Sequence, residues 1–229
     1  MITNKKILAI ITARGGSKRL PNKNILNLNG KPLISWTINE AKKSKYIDKL
    51  IVSTDDLKIA KISKEYGVEI PFLRPTKLAS DTSNSLDVIK HSIEFFNNQF
   101  DYVLLLQPTS PLRTVIDIDK AIEKLNTDTK AIVSVCETEH SPLWSNILPT
   151  NLNMKEFLND EGKNKRSQDL PVYYRINGAI YISEIDYLYK NNSFLGNQTK
   201  AFIMNKEDSI DIDTNIDFLL AELLLKNNK

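Results

Sequence analysis

The residues best equipped for chemistry gather near the start of the chain, in Ala13-Arg14-Gly15-Gly16-Ser17-Lys18-Arg19-Leu20-Pro21-Asn22-Lys23-Asn24. Arg14, Lys18, Arg19 and Lys23 concentrate positive charge on a turn that follows an apolar run. Gly15 and Gly16 allow backbone N–H groups to face a ligand with no side chain in the way. Oriented amides and cations stabilise anions together, so a triphosphate suits this segment. Its spacing has neither the Gly-Lys-Ser/Thr ending of a P-loop nor the three glycines of the dinucleotide fingerprint. A solvated basic turn is the competing reading. The place directly after a first strand favours phosphate, because open α/β sheets bind ligands at the carboxyl ends of their strands.

A second candidate lies near the other end. Asp211 and Asp213 alternate with Ile210 and Ile212, so an extended backbone puts both carboxylates on one face and both isoleucines on the other. Two hard oxygen ligands suit Mg2+, which takes carboxylates together with substrate phosphates and water. The alternative is a strand edge running into the last helix, with Asp213 as its N-cap. His91 and His140 have no cysteine, serine or second histidine in company, as a zinc site or a catalytic triad requires. Cys136 is the only cysteine. It reads as a buried thiol in a strand and excludes an intrachain disulfide.

The elements that must carry these residues follow from hydrophobic pattern. Lys6–Thr12, Leu50–Ser53, Glu69–Phe72, Tyr102–Leu106 and Ala131–Cys136 are short and rich in Ile, Val and Leu on both faces, as strands of a covered parallel sheet are. Between them, Leu57–Tyr66, with Asp56 as N-cap and Gly67 as terminator, reads as a helix. Leu86, Ile89, Ile93 and Phe96 recur at helical spacing, as do Ile118, Ala121, Ile122 and Leu125. The alternation predicts an α/β fold, a Rossmann-like and mainly parallel sheet with helices on both faces. One domain over 1–229 is expected, with an insertion or β-rich dimerisation arm at about 141–200, where proline, asparagine and charge dominate before a β-like stretch over Val172–Ser183. A strand over Ala201–Met204 and a helix over Asn215–Leu225 close the chain.

Composition bounds the partners. The 229 residues are 41% hydrophobic and 26% charged, with a formal net charge of +3, too mild for bulk binding of nucleic acid or an anionic membrane. An anionic partner must therefore meet a local site. The apolar run Ile7–Ala13 is too short to span a bilayer, and a cytoplasmic protein is expected.

Taken together, the motifs resemble those of the acylneuraminate cytidylyltransferases. The resemblance rests on the Arg14–Asn24 loop, Ser53-Thr-Asp55, Phe72-Leu-Arg-Pro75, Leu78-Ala-Ser-Asp-Thr82, Leu105-Leu-Gln-Pro-Thr-Ser-Pro-Leu-Arg113, Arg175-x-Asn-Gly-Ala-Ile-Tyr181 and Ser209-Ile-Asp-Ile-Asp213. They occur in the family's order over nearly the whole chain. The resemblance implies attack on the α-phosphate of CTP by the anomeric hydroxyl of an acidic nine-carbon sugar, with magnesium. It implies nucleotide binding by Arg14, Gly15, Gly16, Ser17, Lys23 and Asn24, with Asn84 and Ser85 near the cytidine. Gln107, Arg175, Asn177, Tyr181 and Phe194 would meet the sugar, Arg175 pairing with its carboxylate through a planar fork that lysine lacks. Core packing is the other reading for Tyr181 and Phe194. Asp211 and Asp213 would hold the metal, and Arg14, Lys23 and Asp211 would act in catalysis. A homodimer is expected.

Three positions depart from the family pattern. Arg166-Ser167 stands where two arginines are usual, so Arg166 would have to serve for both. Phe194-Leu195 replaces paired aromatics, and Arg19 replaces a common glycine. These departures leave the sugar open among N-acetylneuraminate, legionaminate, pseudaminate or another acidic ketose. A catalytically silent nucleotide-binding homologue is the alternative from a different class.

Overall fold

A computed structural model describes residues 5–80 and 83–227. Eight strands and six helices are described: β1 Ile7–Thr12, β2 Asn27–Leu28, β3 Lys31–Pro32, α1 Leu33–Lys43, β4 Lys49–Ser53, α2 Leu57–Glu65, α3 Ser85–Phe95, β5 Tyr102–Leu106, α4 Val115–Glu123, β6 Ala131–Glu137, β7 Tyr174–Glu184, α5 Ile185–Asn191, β8 Thr199–Ile203 and α6 Asn215–Asn227. Six strands form one sheet in the order β4-β1-β5-β7-β6-β8. The pairs β1–β4, β1–β5 and β6–β8 are parallel, and β7 alone runs against its neighbours β5 and β6.

Alternation along each strand feeds two cores. Ile7, Ala9 and Ile11 of β1 and Leu104 and Leu106 of β5 pack with Ile34 and Ile38 of α1, Ile59 of α2, and Ile118 and Ile122 of α4. Leu8, Ile10, Val103 and Leu105 face the other way, onto Leu86, Ile89 and Ile93 of α3 and Leu188 of α5. Helices therefore cover both faces, as the doubly apolar strands require. A third cluster sits at one edge. There Leu28, Leu33, Ile212 and Ala221 join Phe218 and Leu225, docking α6 on the β2–β3 hairpin. That hairpin turns through Asn29 and Gly30, both at positive φ (48° and 90°), the Asn-Gly pattern of a tight β-turn.

Two expectations need correction. The segment Glu69–Phe72 forms only isolated bridges, Ile51 with Glu69 and Thr54 with Leu73. Pro71 lacks the N–H that a continuous ladder needs. The stretch expected as a β-rich arm to residue 200 contains β7, an interior strand of the main sheet. The irregular part is residues 138–173, with short 3-10 turns at Pro142–Trp144 and Ser167–Asp169. The helix ends are as read. Asp56 Oδ1 accepts from the N–H groups of Lys58 and Ile59 at 2.7 and 3.1 Å, and Gly67 ends α2 at φ 75°. Among the described residues no helix is long and apolar enough to cross a membrane.

Candidate active site

A cavity of about 520 Å³ opens at the carboxyl ends of β1 and β5. Its walls are the loop after β1 (Arg14, Ser17, Lys18, Lys23, Asn24), Arg74, Ser83 and Ser85 at the start of α3, Gln107–Thr109 after β5, and Asp213. The loop is anchored at both ends. Ala13 N–H donates to the Ser53 carbonyl at 3.0 Å, and Gly15 N–H donates to Asp55 Oδ1 at 3.1 Å. A Cβ on Gly15 would lie 2.8 Å from Asp56 Oδ2, whereas one on Gly16 would meet nothing. Asn24 closes the turn by donating to the Arg14 carbonyl at 3.1 Å. Its buried Oδ1 has no partner among the described residues.

The fold brings the first loop to the Asp-x-Asp pair. Lys23 Nζ, almost enclosed, donates to the Ile212 carbonyl at 2.6 Å and to Asp213 Oδ1 at 3.0 Å. Arg19 Nη1 holds Asp213 Oδ2 at 2.8 Å. Ile212, fully buried in the third cluster, points away from both carboxylates as the alternation predicts. Thr214, not Asp213, opens α6. Its N–H and hydroxyl donate to Asp217 at 2.7 and 2.8 Å, a capping arrangement that leaves Asp213 to face the cavity. Burial pushes the Asp211 carboxyl up, a Thr109 hydrogen bond opposes this, Asp213 adds to it, and Lys23 and Arg175 pull down. Asp211 Oδ1 is buried without a partner among the described residues.

Next to Gln107 the chain passes through Gly178, at φ 77°, outside the lining of the cavity itself. A Cβ there would lie 3.2 Å from Gln107 Oε1, tighter than side chains usually sit, and 3.6 Å from Asp211 Oδ2, an ordinary contact, so glycine here spares the Gln107 amide. Arg175 grips Glu139 with two contacts, Nη2 to Oε1 at 2.8 Å and Nε to Oε2 at 3.2 Å. Asn177 is buried and fully used. It donates to Ser209 Oγ and Met204 Sδ and accepts from Ser134 Oγ and Ala179 N–H. It therefore braces the turn at Gly178 from behind, with no polar atom left over for the ligand contact expected of it. Tyr181 and Phe194 lie 5.5 Å apart and pack against the second core. Asn84 caps α3 through the Leu86 N–H at 3.0 Å, while Ser85 lines the cavity. Arg166 is ion-paired to Asp169 at 2.9 Å. Asp81 and Thr82 lie outside the described residues.

Residues 8–223 match the cytidylyltransferase family model. The chain is a member of the cytidylyltransferase family. It is 39% identical to a CMP-N,N'-diacetyllegionaminic acid synthase from Legionella pneumophila over 98% of both chains. It is 35% identical to a pseudaminic acid cytidylyltransferase from Campylobacter jejuni over 97% of both. An N-acylneuraminate cytidylyltransferase from Escherichia coli is 38% identical over 94% of this chain, which spans about half (51%) of that relative. Among solved structures, a CMP:2-keto-3-deoxy-manno-octonic acid synthetase complexed with CTP superposes with a TM-score of 0.73 at 17% identity, covering 98% of this chain and 100% of the other.

Two further arginines of this cytidylyltransferase, Arg74 and Arg113, lie within its motifs and are both buried. Arg74 reaches the cavity and binds Ser53 through both its side chain and its carbonyl. Burial brings its ionisation down to about 10, against Asp55. Arg113 is buried behind Gln107. Their pattern positions were visible in the sequence; their burial was not, because arginine is ordinarily a surface residue.

Proposed function

We propose that this cytidylyltransferase joins CTP to a nonulosonic acid, giving the CMP-sugar and pyrophosphate. The observation that carries the reading is the convergence of one cationic loop, Gln107 and Asp213 on a single cavity, with Asp211 beside Gly178 next to Gln107. The anomeric oxygen attacks the α-phosphorus, that P–O bond forms, and the bond from the α-phosphorus to the bridging oxygen breaks. Arg14 and Lys23 lie where they would bind phosphate and stabilise charge on the departing pyrophosphate. Gly15 gives its amide to Asp55 and so shapes the turn, while Gly16 and Ser17 are left to the same anion, and Asn24 and Ser85 approach the nucleoside. Gln107 and Arg175 would seat the sugar, the acid displacing Glu139 from the Arg175 fork. Asp211 orients or deprotonates the attacking hydroxyl.

Magnesium fits this donor set. Asp211 offers a buried oxygen with no hydrogen-bond partner among the described residues, and Asp213 stands beside it. No cluster of three or more His, Cys, Asp or Glu able to hold a metal occurs among the described residues, so substrate phosphates and water would complete the shell. The ion would neutralise phosphate charge. Asp213 must then release Arg19 or Lys23, whose charges are free to turn to the phosphates.

The substrate class follows the three curated relatives described above, each named for a nonulosonic acid, and we favour the legionaminate or N-acetylneuraminate type. CTP consumption places the protein in the cytoplasm. A homodimer belongs to the same proposal, because Ile147, Leu148, Leu152 and Met154 expose apolar surface within 138–173 that a second copy would cover. The test is pyrophosphate release from CTP and magnesium with N-acetylneuraminate, legionaminate and pseudaminate in parallel. Release with one acid names the substrate. Silence with all three, from protein that still binds CTP, supports another acidic ketose or the silent homologue.

A further inference from the structure

Arg113 is 1% exposed and among the largest fully buried side chains. Among the described residues it forms no ion pair with a carboxylate. Its guanidinium instead serves three neutral acceptors. Nη1 donates to the carbonyls of Ala179 at 2.8 Å and Gln107 at 3.2 Å, and Nη2 donates to Thr37 Oγ1 at 2.7 Å. Nε has no partner among the described residues. Burial brings the ionisation of Arg113 down to about 10, and Asp117 and Glu40, attracting the charge from beyond ion-pair distance, only partly oppose this. A buried charge so weakly compensated is expensive, and an apolar side chain of similar volume would pack the space more stably. Stability alone is therefore a poor reason for an arginine here.

The register shows what the charge does. β5 and β7 pair antiparallel up to Leu106 and Ile180. The next pair in that register would be Gln107 with Ala179, and it is missing from the ladder. Its place is taken by the guanidinium, which collects both carbonyls. Immediately beyond lies Gly178, whose vacant Cβ position borders Gln107 Oε1 and Asp211 Oδ2. The ladder is thus opened to make room for the Gln107 and Asp211 side chains, and Arg113 sets how far it opens.

We infer that Arg113 is a positioning residue for the acidic-sugar half of the site, acting through the backbones of Gln107 and Ala179. Resting as it does on the proposed cytidylyl transfer, it separates the two halves of that site. Among the described residues Arg113 donates to nothing in the loop after β1, so loss of the clamp should touch the sugar and spare the nucleotide. The experiment measures CTP affinity, KM for the acidic sugar, kcat and thermal midpoint for wild type, Arg113→Met, Arg113→Lys and Thr37→Val. Wild type must first form the CMP-sugar; if it does not, the functional reading fails and not this one. Arg113→Met should keep CTP affinity within about twofold and raise the sugar KM at least about tenfold, since small misplacements of binding groups have large effects. Arg113→Lys, which keeps charge but cannot span both carbonyls, should fall between. Thr37→Val, which removes the Nη2 acceptor and the 3.4 Å bond from Thr37 Oγ1 to the Gln107 carbonyl but keeps both Nη1 contacts, should raise the sugar KM in the same direction by less than Arg113→Met. A sugar KM within about twofold of wild type in folded Arg113→Met overturns the inference. So does a parallel loss of CTP affinity, or failure of both arginine variants to fold, either of which makes Arg113 a residue of the fold as a whole.

Discussion

Gly15 and Gly16 are neighbours with different reasons to be glycine. A side chain at Gly15 would strike the Asp56 carboxylate, and Asp56 cannot move freely because it caps α2. Gly15→Ala should therefore destabilise the protein by about 1 kcal/mol, the worth of a disturbed cap, and weaken CTP binding. Gly16→Ala meets open space and should change the thermal midpoint little, because only the loop's freedom is reduced. Thermal unfolding and CTP titration of the pair check both statements; equal behaviour would mean that the Asp56 contact is unimportant. Residue types announced the cationic loop and the acidic pair that it meets, because charge and glycine are informative where they cluster. The roles of Arg74, Arg113 and Asn177 were not legible in the same way. Each depends on burial and on partners distant in sequence, such as Ser53, Ala179 and Ser209.

At the scale of elements, the acidic pair depends on packing behind it. Ile212 is fully buried between the β2–β3 hairpin and α6, and its carbonyl holds Lys23. Ile212→Ala should cost about 2–5 kcal/mol as a cavity-forming substitution, and lower kcat more than CTP affinity as Asp211 and Asp213 lose their fixed orientation. Denaturant unfolding with steady-state kinetics checks this, and an unchanged kcat in folded variant would mean the pair is held by Lys23 and Arg19 alone. The parallel strands were readable because both their faces are apolar. β7 was misassigned to an arm because its neighbours in sequence are polar and irregular, while its neighbours in space, β5 and β6, are hydrophobic strands. Glu69–Phe72 has strand-like residues, but Pro71 interrupts the hydrogen bonding that would make it one.

For the molecule as a whole, the end of the sheet away from the cavity carries a pH-sensitive tie. Lys5 Nζ donates to Asp101 at 2.7 Å and the Lys6 N–H at 2.8 Å, and these two bonds, the Lys5 side chain first, hold the carboxyl below its usual range against partial burial. A depressed carboxyl stabilises the fold above its unfolded pKa, about 4, and that contribution is lost as pH falls through the lower folded value. Wild type should thus lose stability below about pH 4 more steeply than Asp101→Asn, as read from thermal midpoints across that range; parallel curves would show that the tie contributes nothing. The global fold was legible because alternating strands and helices leave few topologies open, while the opened β5–β7 ladder that seats Gln107 was not. The most direct measurement of the central claim is phosphorus NMR of the protein with CTP, magnesium and the three acidic sugars. The account predicts equal growth of one phosphodiester signal and of pyrophosphate with one of the sugars. CDP and phosphate as products, or CTP left intact with every acidic ketose offered, would contradict it.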